Sequence, residues 1–373
     1  MEKGKVEKIY PLTVSMTPSF LMEGDSLFKA QLRCLSEQEF KDFDVYVIDP
    51  HFEKRKSYMP ELAAHYNLNI KHVPYIPNLQ NARIIDCSIF NAAYCYSESP
   101  RIVRYSCWRF VRPNFTRICV ESEVNCDFYF HSIEPSSING YNPATGHNTD
   151  IWDFGSDEVH WDKMPKCGEK GATWTYHSEV DADATLFPKN AYGNYMVFRK
   201  DWLALNGCNE SFVSTHFEDI CFTLRARNLG LMCKRNALVM YRMHHQYGSH
   251  SQRSNIPVDY PTKKPCEQCV KASHITEPIR FDLDRRIEAG EVDVFDNIWV
   301  CKTCALSGAV YHADCGEYTT GIEISGQTHA PIIPKYKIGR NLNTLVADMD
   351  GKTLEEKIEI YTDSWTNSKY YVQ

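Results

Sequence analysis

Residues 192–245 read YGNYMVFRKDWLALNGCNESFVSTHFEDICFTLRARNLGLMCKRNALVMYRMHH, and no other stretch says as much about the fold. Its pattern predicts a strand at 196–199, then a helix, then a turn at 206–207 where glycine follows asparagine. Glu218 and Asp219 open a second amphipathic helix, and an apolar strand follows that ends in histidines. This alternation of strands and helices predicts an α/β fold.

Four apolar residues recur at helical spacing around the start of the second helix: Phe217, Ile220, Cys221 and Leu224. That periodicity predicts one buried face, with Arg225 and Arg227 pointing elsewhere. Glu218 and Asp219 then lie in the first turn, where unsatisfied N–H groups and the helix dipole favour carboxylates. Two interpretations stay open. Thr215 and Glu218 fit a capping box, and a carboxylate beside a cleft can accept the proton of an attacking hydroxyl.

In its order of elements this stretch resembles the acceptor half of family-two glycosyltransferases of the GT-A fold. Over residues 8–250 the resemblance implies a Rossmann-like mixed, mostly parallel sheet flanked by helices. It implies an enzyme that moves a sugar from a nucleoside-diphosphate sugar to a hydroxyl acceptor with inversion. Glu218 and Asp219 are then the catalytic pair, with Asp219 as general base. The competing interpretation is a catalytically silent protein that binds nucleotide sugars or glycans.

The first hundred residues alternate strand patterns (9–15, 44–48, 70–73 and 102–105) with helix patterns (27–35, 58–65 and 80–97). Such alternation predicts a parallel sheet with ligands at the carboxyl ends of its strands. Asp49 lies at such an end, although Asp there is also a common turn residue. By resemblance, Asp49 contacts the nucleotide base, and the loop holding Thr17 flanks the nucleoside. The resemblance also puts Arg83 near the diphosphate, where a solvated helix residue is the alternative.

The sequence departs from the family after the fourth predicted strand. The family places Asp-x-Asp there to hold the divalent metal that bridges the donor diphosphate. In this chain Ser106 and Trp108 occupy those positions, and Arg104, Arg109 and Arg112 surround them. Guanidinium groups match phosphate in a bidentate geometry, so arginines are predicted to neutralise the diphosphate. Use of Mn²⁺ or Mg²⁺ at the donor site stays open, and an eroded, binding-only site is the alternative.

Two further groups could reach a metal or phosphate. A second Asp-x-Asp, formed by Asp181 and Asp183, follows a polar run downstream of the expected place, where a solvated loop is favoured. The resemblance makes His244 a metal or phosphate contact at the end of its strand.

Paired cysteine knuckles occur near the C-terminus, at Cys266, Cys269, Cys301 and Cys304. The two CxxC pairs are 31 residues apart, which suits a tetrahedral structural Zn²⁺ site. His312 and Cys315 offer further ligands, and a redox dithiol is the lesser option. The predicted division is a GT-A domain at 1–255 and a zinc-binding module with a tail at 256–373. Such a module could recruit a protein or nucleic-acid acceptor, and the acceptor could equally be a glycan.

Composition and charge limit the classes of partner and the cellular location that we expect for this protein. The net charge of −7 over 373 residues argues against broad wrapping of nucleic acid. No stretch approaches the ~20 apolar residues needed to span a bilayer, and no secretory signal is evident. We therefore expect a cytoplasmic protein without a transmembrane segment, whose 15 cysteines are reduced. The amphipathic stretch 354–361 is predicted to pack on the chain or on another subunit of a homo-oligomer.

Overall fold

The computed structural model describes residues 8–18, 26–76, 86–106, 109–132, 141–142, 147–148, 157–163, 183–187, 194–208, 218–242, 322–324, 327–329 and 340–370. The chain forms two compact units. The first comprises Met1–Tyr75, Ala92–Ala204 and Gly230–Gln246, and the second comprises Ile76–Asn91, Leu205–Leu229 and Tyr247–Gln373. The predicted division at residue 255 stays a prediction, because 243–321 lies outside the described residues.

The strands are β1 (Leu12–Met16), β2 (Phe43–Asp49), β3 (Ile70–Pro74), β4 (Arg101–Tyr105), β5 (Arg109–Val111), β6 (Asn125–Ser132), β7 (Tyr141–Asn142), β8 (His147–Asn148), β9 (Thr185–Leu186), β10 (Tyr195–Phe198), β11 (Met232–Arg242), β12 (Ile322–Ile324) and β13 (Gln327–His329). The helices are α1 (Ser26–Ser36), α2 (Phe52–Arg55), α3 (Met59–Tyr66), α4 (Asp86–Tyr96), α5 (Phe115–Glu121), α6 (Arg199–Ala204), α7 (Glu218–Asn228), α8 (Leu342–Met349) and α9 (Leu354–Asp363).

One mixed sheet organises the first unit, in the order β3-β2-β1-β4-β10-β6-β11-β5, with β9 added against β11. Strands β3, β2, β1 and β4 are mutually parallel, as are β6 and β11, whereas β10 and β5 run antiparallel to their neighbours. Every residue of β1 and β2 is buried, as expected for central parallel strands covered on both faces. The predicted fold class, a mixed and mostly parallel sheet flanked by helices, is confirmed.

Five cysteines stand among apolar residues in the sequence, a context that predicts small core residues: Cys34, Cys87, Cys95, Cys119 and Cys233. The Cys87 side chain lies outside the described residues. The other four, together with Cys126 and Cys208, are free and buried. Burial raises the pKa of the Cys126 thiol to about 11, so the reactive thiolate is scarce at neutral pH. Their role is therefore packing.

In the second unit, α8 and α9 form a helical hairpin, and α9 contains the predicted amphipathic stretch. The predicted turn is confirmed, since Asn206 and Gly207 both have positive φ, at 53° and 72°. One expectation is wrong. Arg225 on α7 is buried, because its guanidinium donates hydrogen bonds to the carbonyl oxygens of Leu205 and Gly207.

No helix within the described ranges is both long enough and apolar enough to cross a membrane.

Candidate functional site

The carboxyl ends of three neighbouring parallel strands form one edge of the sheet. Met16, the last residue of β1, lies opposite Val47 of β2 and Tyr105 of β4. Thr17 and Ser106, which follow β1 and β4, therefore share this edge with Asp49, the last residue of β2. The structure thus brings together three of the positions that the sequence associates with the donor, at the edge where open α/β sheets bind ligands.

Asp49 is fully buried and accepts hydrogen bonds through both carboxylate oxygens. Its Oδ1 accepts from the His51 backbone N–H and from Arg55 Nη1, each at 2.7 Å. Its Oδ2 lies 2.9 Å from His72 Nε2 on the adjacent strand β3. The bond from His51, two residues on, is an Asx-type turn, one of the two roles that the sequence left open for Asp49.

Electrostatics keep the Asp49 carboxylate ionised. Burial by itself raises the pKa of Asp49, but the hydrogen bond with His72, the charge of Arg55 and the His51 N–H outweigh it and hold the pKa below its ordinary value. Asp49 is thus the centre of a buried ion-pair cluster that links the end of β2 to His72 on β3, to His51 just before α2 and to Arg55 at the end of α2. Since both of its oxygens already have protein partners, its geometry suits fixing this edge better than reaching outward.

Segment 106–112, of which residues 106 and 109–112 are described, follows β4, and side chains from α1 and the residues just after it hold its backbone. The buried Gln31 side chain donates through Nε2 to the carbonyl oxygens of Ser106 and Arg109, both at 3.1 Å. Gln38, seven residues later and just beyond the end of α1, donates through Nε2 to the carbonyl oxygen of Arg112 at 2.9 Å. The Oε1 of Gln38 accepts from the Thr116 N–H at 2.9 Å, in the first turn of α5. Gln31 on α1 and Gln38 just after it thereby hold the backbone at both ends of the segment.

The Ser106 hydroxyl faces an amide rather than a carboxylate. Its Oγ donates to Asn194 Oδ1 at 2.9 Å, and the Asn194 carbonyl accepts from the Phe128 N–H at 2.9 Å. Asn194 itself is fully buried at the start of β10. A hydroxyl paired with an amide is a poor substitute for two hard carboxylate ligands, so this pair gives a divalent cation little to bind.

The two arginines of this segment differ in exposure. Arg109 opens β5, lies opposite Arg242 of β11 in the antiparallel register, and is 8% exposed. Arg112 is half-buried, and its Nε and Nη2 both donate to the Tyr241 hydroxyl. The guanidinium carbon of Arg112 lies 5.2 Å from the centre of the Tyr241 ring, a cation–π distance. Both residues therefore place positive charge on the segment that follows β4, with Arg109 at the start of β5 and Arg112 just after its end.

Thr17 is half-buried just beyond β1, and its Oγ1 is a buried atom with no hydrogen-bond partner among the described residues. A buried hydroxyl normally finds a partner. Thr17 is therefore a fitting place for a polar atom of a ligand.

The structure does not describe the side chains of the remaining predicted site residues. Glu218 and Asp219 are the first two residues of α7, as predicted, and their side chains lie outside the described residues. Arg83, Trp108, Asp181, His244 and the four cysteines Cys266, Cys269, Cys301 and Cys304 lie outside them as well. Among the residues that are described, no three His, Cys, Asp or Glu side chains are grouped so that they could hold a metal ion. The zinc site and a donor-site metal remain predictions.

Sequence reasoning missed the supporting residues His72, Gln31, Asn194 and Tyr241. Of these four, only Gln31 could have been recognised from the sequence pattern. It is a polar residue on the apolar face of α1, seven positions before Gln38. The others act across sequence separations of 23 to 129 residues, which no local pattern reveals.

Three solved structures of TarS from S. aureus are similar to this chain at 12–14% identity. TarS 1–349 in complex with UDP-GlcNAc has a TM-score of 0.41, and the match covers 66% of this chain and 61% of that one. TarS 1–349 in complex with UDP has a TM-score of 0.40 with 74% of each chain covered. TarS itself also has a TM-score of 0.40, with 74% of this chain and 46% of that chain covered.

No protein-family model matches the chain. No curated protein matches it either.

Proposed function

We propose that the chain is a glycosyltransferase that moves a sugar from a nucleoside-diphosphate sugar to a hydroxyl acceptor, with inversion at the anomeric carbon. The observation that carries the proposal is the segment 106–112. Its first residue, Ser106, follows β4 at the carboxyl edge of the sheet, Gln31 and Gln38 hold its backbone, and it contains Arg109 and Arg112, which we assign to the diphosphate.

In the proposed reaction, Asp219 accepts the proton of the acceptor hydroxyl as its oxygen attacks the anomeric carbon. The bond from that carbon to the diphosphate oxygen breaks, and the nucleoside diphosphate leaves with the electron pair. Arg109 and Arg112 offset the negative charge that develops on the leaving group, as positioned cations do in phosphoryl chemistry. Glu218 precedes the base in the sequence, and we assign Arg83 and His244, from the resemblance, to further diphosphate contacts.

On the nucleoside side, we assign direct contact to Thr17, whose buried hydroxyl lacks a partner among the described residues. Asp49 is assigned a supporting role, because His51, Arg55 and His72 already engage its oxygens. Through these bonds it keeps the ends of β2 and β3 in place around the nucleoside.

The decisive experiment is a screen of nucleoside-diphosphate sugars with the full chain. Thermal stabilisation identifies the nucleotide, and release of nucleoside diphosphate in the presence of mixed glycan, peptide and nucleic-acid acceptors identifies transfer. Stabilisation followed by turnover supports the enzyme. Stabilisation without turnover under any acceptor supports the binding protein, which the absence of aspartates at positions 106 and 108 favours. No stabilisation by any nucleotide would contradict both.

The first prediction concerns the donor metal. If arginines replace it, donor binding survives a chelator that spares the structural zinc. Arg109→Ala should weaken donor binding by about 1–3 kcal/mol, the range for a charge-assisted hydrogen bond at a partly desolvated site. That is about 5- to 150-fold in Kd, measured by calorimetry.

Arg101→Ala is the matched control for Arg109→Ala. Arg101 begins β4, at the opposite end from Ser106, and its guanidinium carbon lies 4.9 Å from the Phe198 ring centre. Its loss should leave donor affinity unchanged. Activity that disappears with a mild chelator and returns with Mn²⁺ or Mg²⁺ alone would reject the arginine mechanism and point to Asp181, Asp183 or His244 as ligands.

The second prediction concerns zinc, which we propose is held by the four cysteines of the CxxC pairs and is structural. Cys266→Ser or Cys301→Ser should release about one zinc per chain, measured by elemental analysis, because three ligands hold the metal far less well than four. Cys119→Ala is the control, since Cys119 is a buried core residue, and it should retain the metal. Wild-type protein purified without zinc, yet fully folded, would contradict the assignment.

A further inference from the structure

The turn at residues 205–208 in the second unit is held from three sides by side chains distant in sequence. From α4, the buried Asn91 makes a pair of hydrogen bonds with the backbone of Cys208, each at 2.8 Å. From α7, Arg225 donates to the carbonyl oxygens of Leu205, at 2.9 Å, and Gly207. Hydrogen bonds from distant side chains therefore fix the backbone of this turn.

The third group of contacts to the turn comes from the start of the C-terminal helical hairpin. Asn206 Nδ2 donates to the carbonyl oxygen of Arg340 at 3.0 Å, and Asn206 Oδ1 accepts from the Leu342 N–H at 2.8 Å. Leu342 is the first residue of α8, so its N–H has no partner within the helix. The local cap, Asn341, already serves the Thr344 N–H. Asn206 thus acts as a second cap for α8 from 136 residues away.

Arg340 is fully buried, and the hairpin fixes it in turn. Its guanidinium carbon lies 3.4 Å from the ring centre of Trp365 and 4.3 Å from that of Tyr361, and Nη1 donates to Ser364 Oγ. A guanidinium packed between aromatic rings and hydrogen-bonded is strongly localised. The backbone that receives Asn206 is consequently anchored in the helical hairpin.

From these contacts we propose that Asn206 is a positioning residue for the carboxylates that open α7, and that α8 and α9 complete the acceptor half of the enzyme. Asn206 hydrogen-bonds the turn to Arg340 and Leu342 at the start of the hairpin. Arg225 hydrogen-bonds the same turn to α7, whose first residues are Glu218 and Asp219. The inference rests on the proposed function. It also makes the cysteine-bearing segment an insertion between β11 and the hairpin, rather than a terminal appendage.

The test removes the Asn206 side chain while keeping its backbone. Asn206→Gly retains the positive φ of 53° without strain and loses both hydrogen bonds to the hairpin. Since misplacement of a catalytic group by about 1 Å can cost about 10²-fold, we expect transfer to fall about 10- to 100-fold while nucleotide affinity is unchanged. Hydrogen exchange across residues 218–228 should become faster. Asn206→Asp keeps the acceptor for α8 and should recover part of the loss.

A second pair of variants tests the hydrogen bond between the Leu342 N–H and Asn206 on its own. Proline is well tolerated at the first position of a helix, and the preceding Asn341 is already extended, at φ −77° and ψ 92°. Leu342→Pro removes the N–H that Asn206 accepts, together with most of the side chain. Leu342→Ala loses comparable packing but keeps the N–H. Slower transfer in Leu342→Pro than in Leu342→Ala supports the inference, and equal rates contradict it.

Asn125→Ala controls for stability loss. Asn125 is a buried asparagine at the start of β6 in the first unit, bonded to Asp201, to the Met232 carbonyl and to the Phe198 N–H. It should lower thermal stability yet keep transfer at a temperature where the protein stays folded. Normal transfer and unchanged exchange in Asn206→Gly would overturn the inference. If wild-type protein transfers no sugar, the proposed function fails, and the exchange measurement still decides whether Asn206 positions α7.

Discussion

Replacing Asp219 by Asn is expected to reduce the transfer rate by about 10²-fold or more while nucleotide affinity and stability stay close to those of the wild type. A general base contributes about 10²- to 10⁴-fold, and the amide of Asn cannot take up the acceptor proton. The side chains are nearly the same size, and Asp219 lies in the first turn of α7. Initial rates with saturating donor and acceptor, together with donor Kd by calorimetry, separate the loss of chemistry from a loss of binding.

Glu218→Gln is the paired variant for Asp219→Asn. Glutamine can replace glutamate in a capping box, so it preserves the capping role that Thr215 and Glu218 suggest. Wild-type transfer in Glu218→Gln would leave Glu218 as a cap, and reduced transfer would give its charge a part in the reaction. Full turnover by Asp219→Asn would remove Asp219 from the mechanism altogether.

Much of the fold follows from local pattern. The predicted strands at 44–48, 70–73 and 102–105 and the helices at 27–35 and 58–65 match β2, β3, β4, α1 and α3 to within one residue at each end. Apolar periodicity and flanking turn residues determine such elements over short distances. Arg199 is an instructive miss: it was predicted to end a strand, but it begins α6, and its N–H donates to the Pro100 carbonyl, a contact outside its own segment.

The site was less predictable because its supporting contacts are distant in sequence. Position alone placed Asp49 at a strand end, but its partner His72 lies on a neighbouring strand 23 residues away. The apolar periodicity of α7 predicts that Arg225 points away from the buried face. Arg225 is buried because two carbonyl oxygens of a turn some 20 residues earlier accept its hydrogen bonds. Such pairings depend on tertiary structure, and only the folded chain reveals them.

The Asp49 cluster offers the largest expected effect on stability. Asp49→Ala removes the carboxylate that pairs with Arg55, whose side chain is 8% exposed, and it removes the acceptor that Asp49 provides to His51 and His72. Breaking a buried ion pair by removing one partner costs about 3–5 kcal/mol. We expect a loss of that size in the free energy of unfolding of the first unit, measured by urea-dependent hydrogen exchange of peptides from β1 and β2. Glu37→Gln is the control, because the Arg33–Glu37 pair is exposed and worth about 1 kcal/mol or less.

The effect of Asp49 should depend on pH in a direction set by its pKa. The folded-state pKa lies below the ordinary value of 3.8, so the unfolded chain binds the proton more readily than the folded one. The stabilisation is therefore complete above about pH 4 and is lost as pH falls through the lower, folded-state pKa. The stability difference between wild type and Asp49→Asn should then shrink as the pH falls below 4 in the same exchange experiment. A difference that stays the same down to pH 2.5 would mean that packing and hydrogen bonding, and not the charge of Asp49, hold the ends of β2 and β3 together.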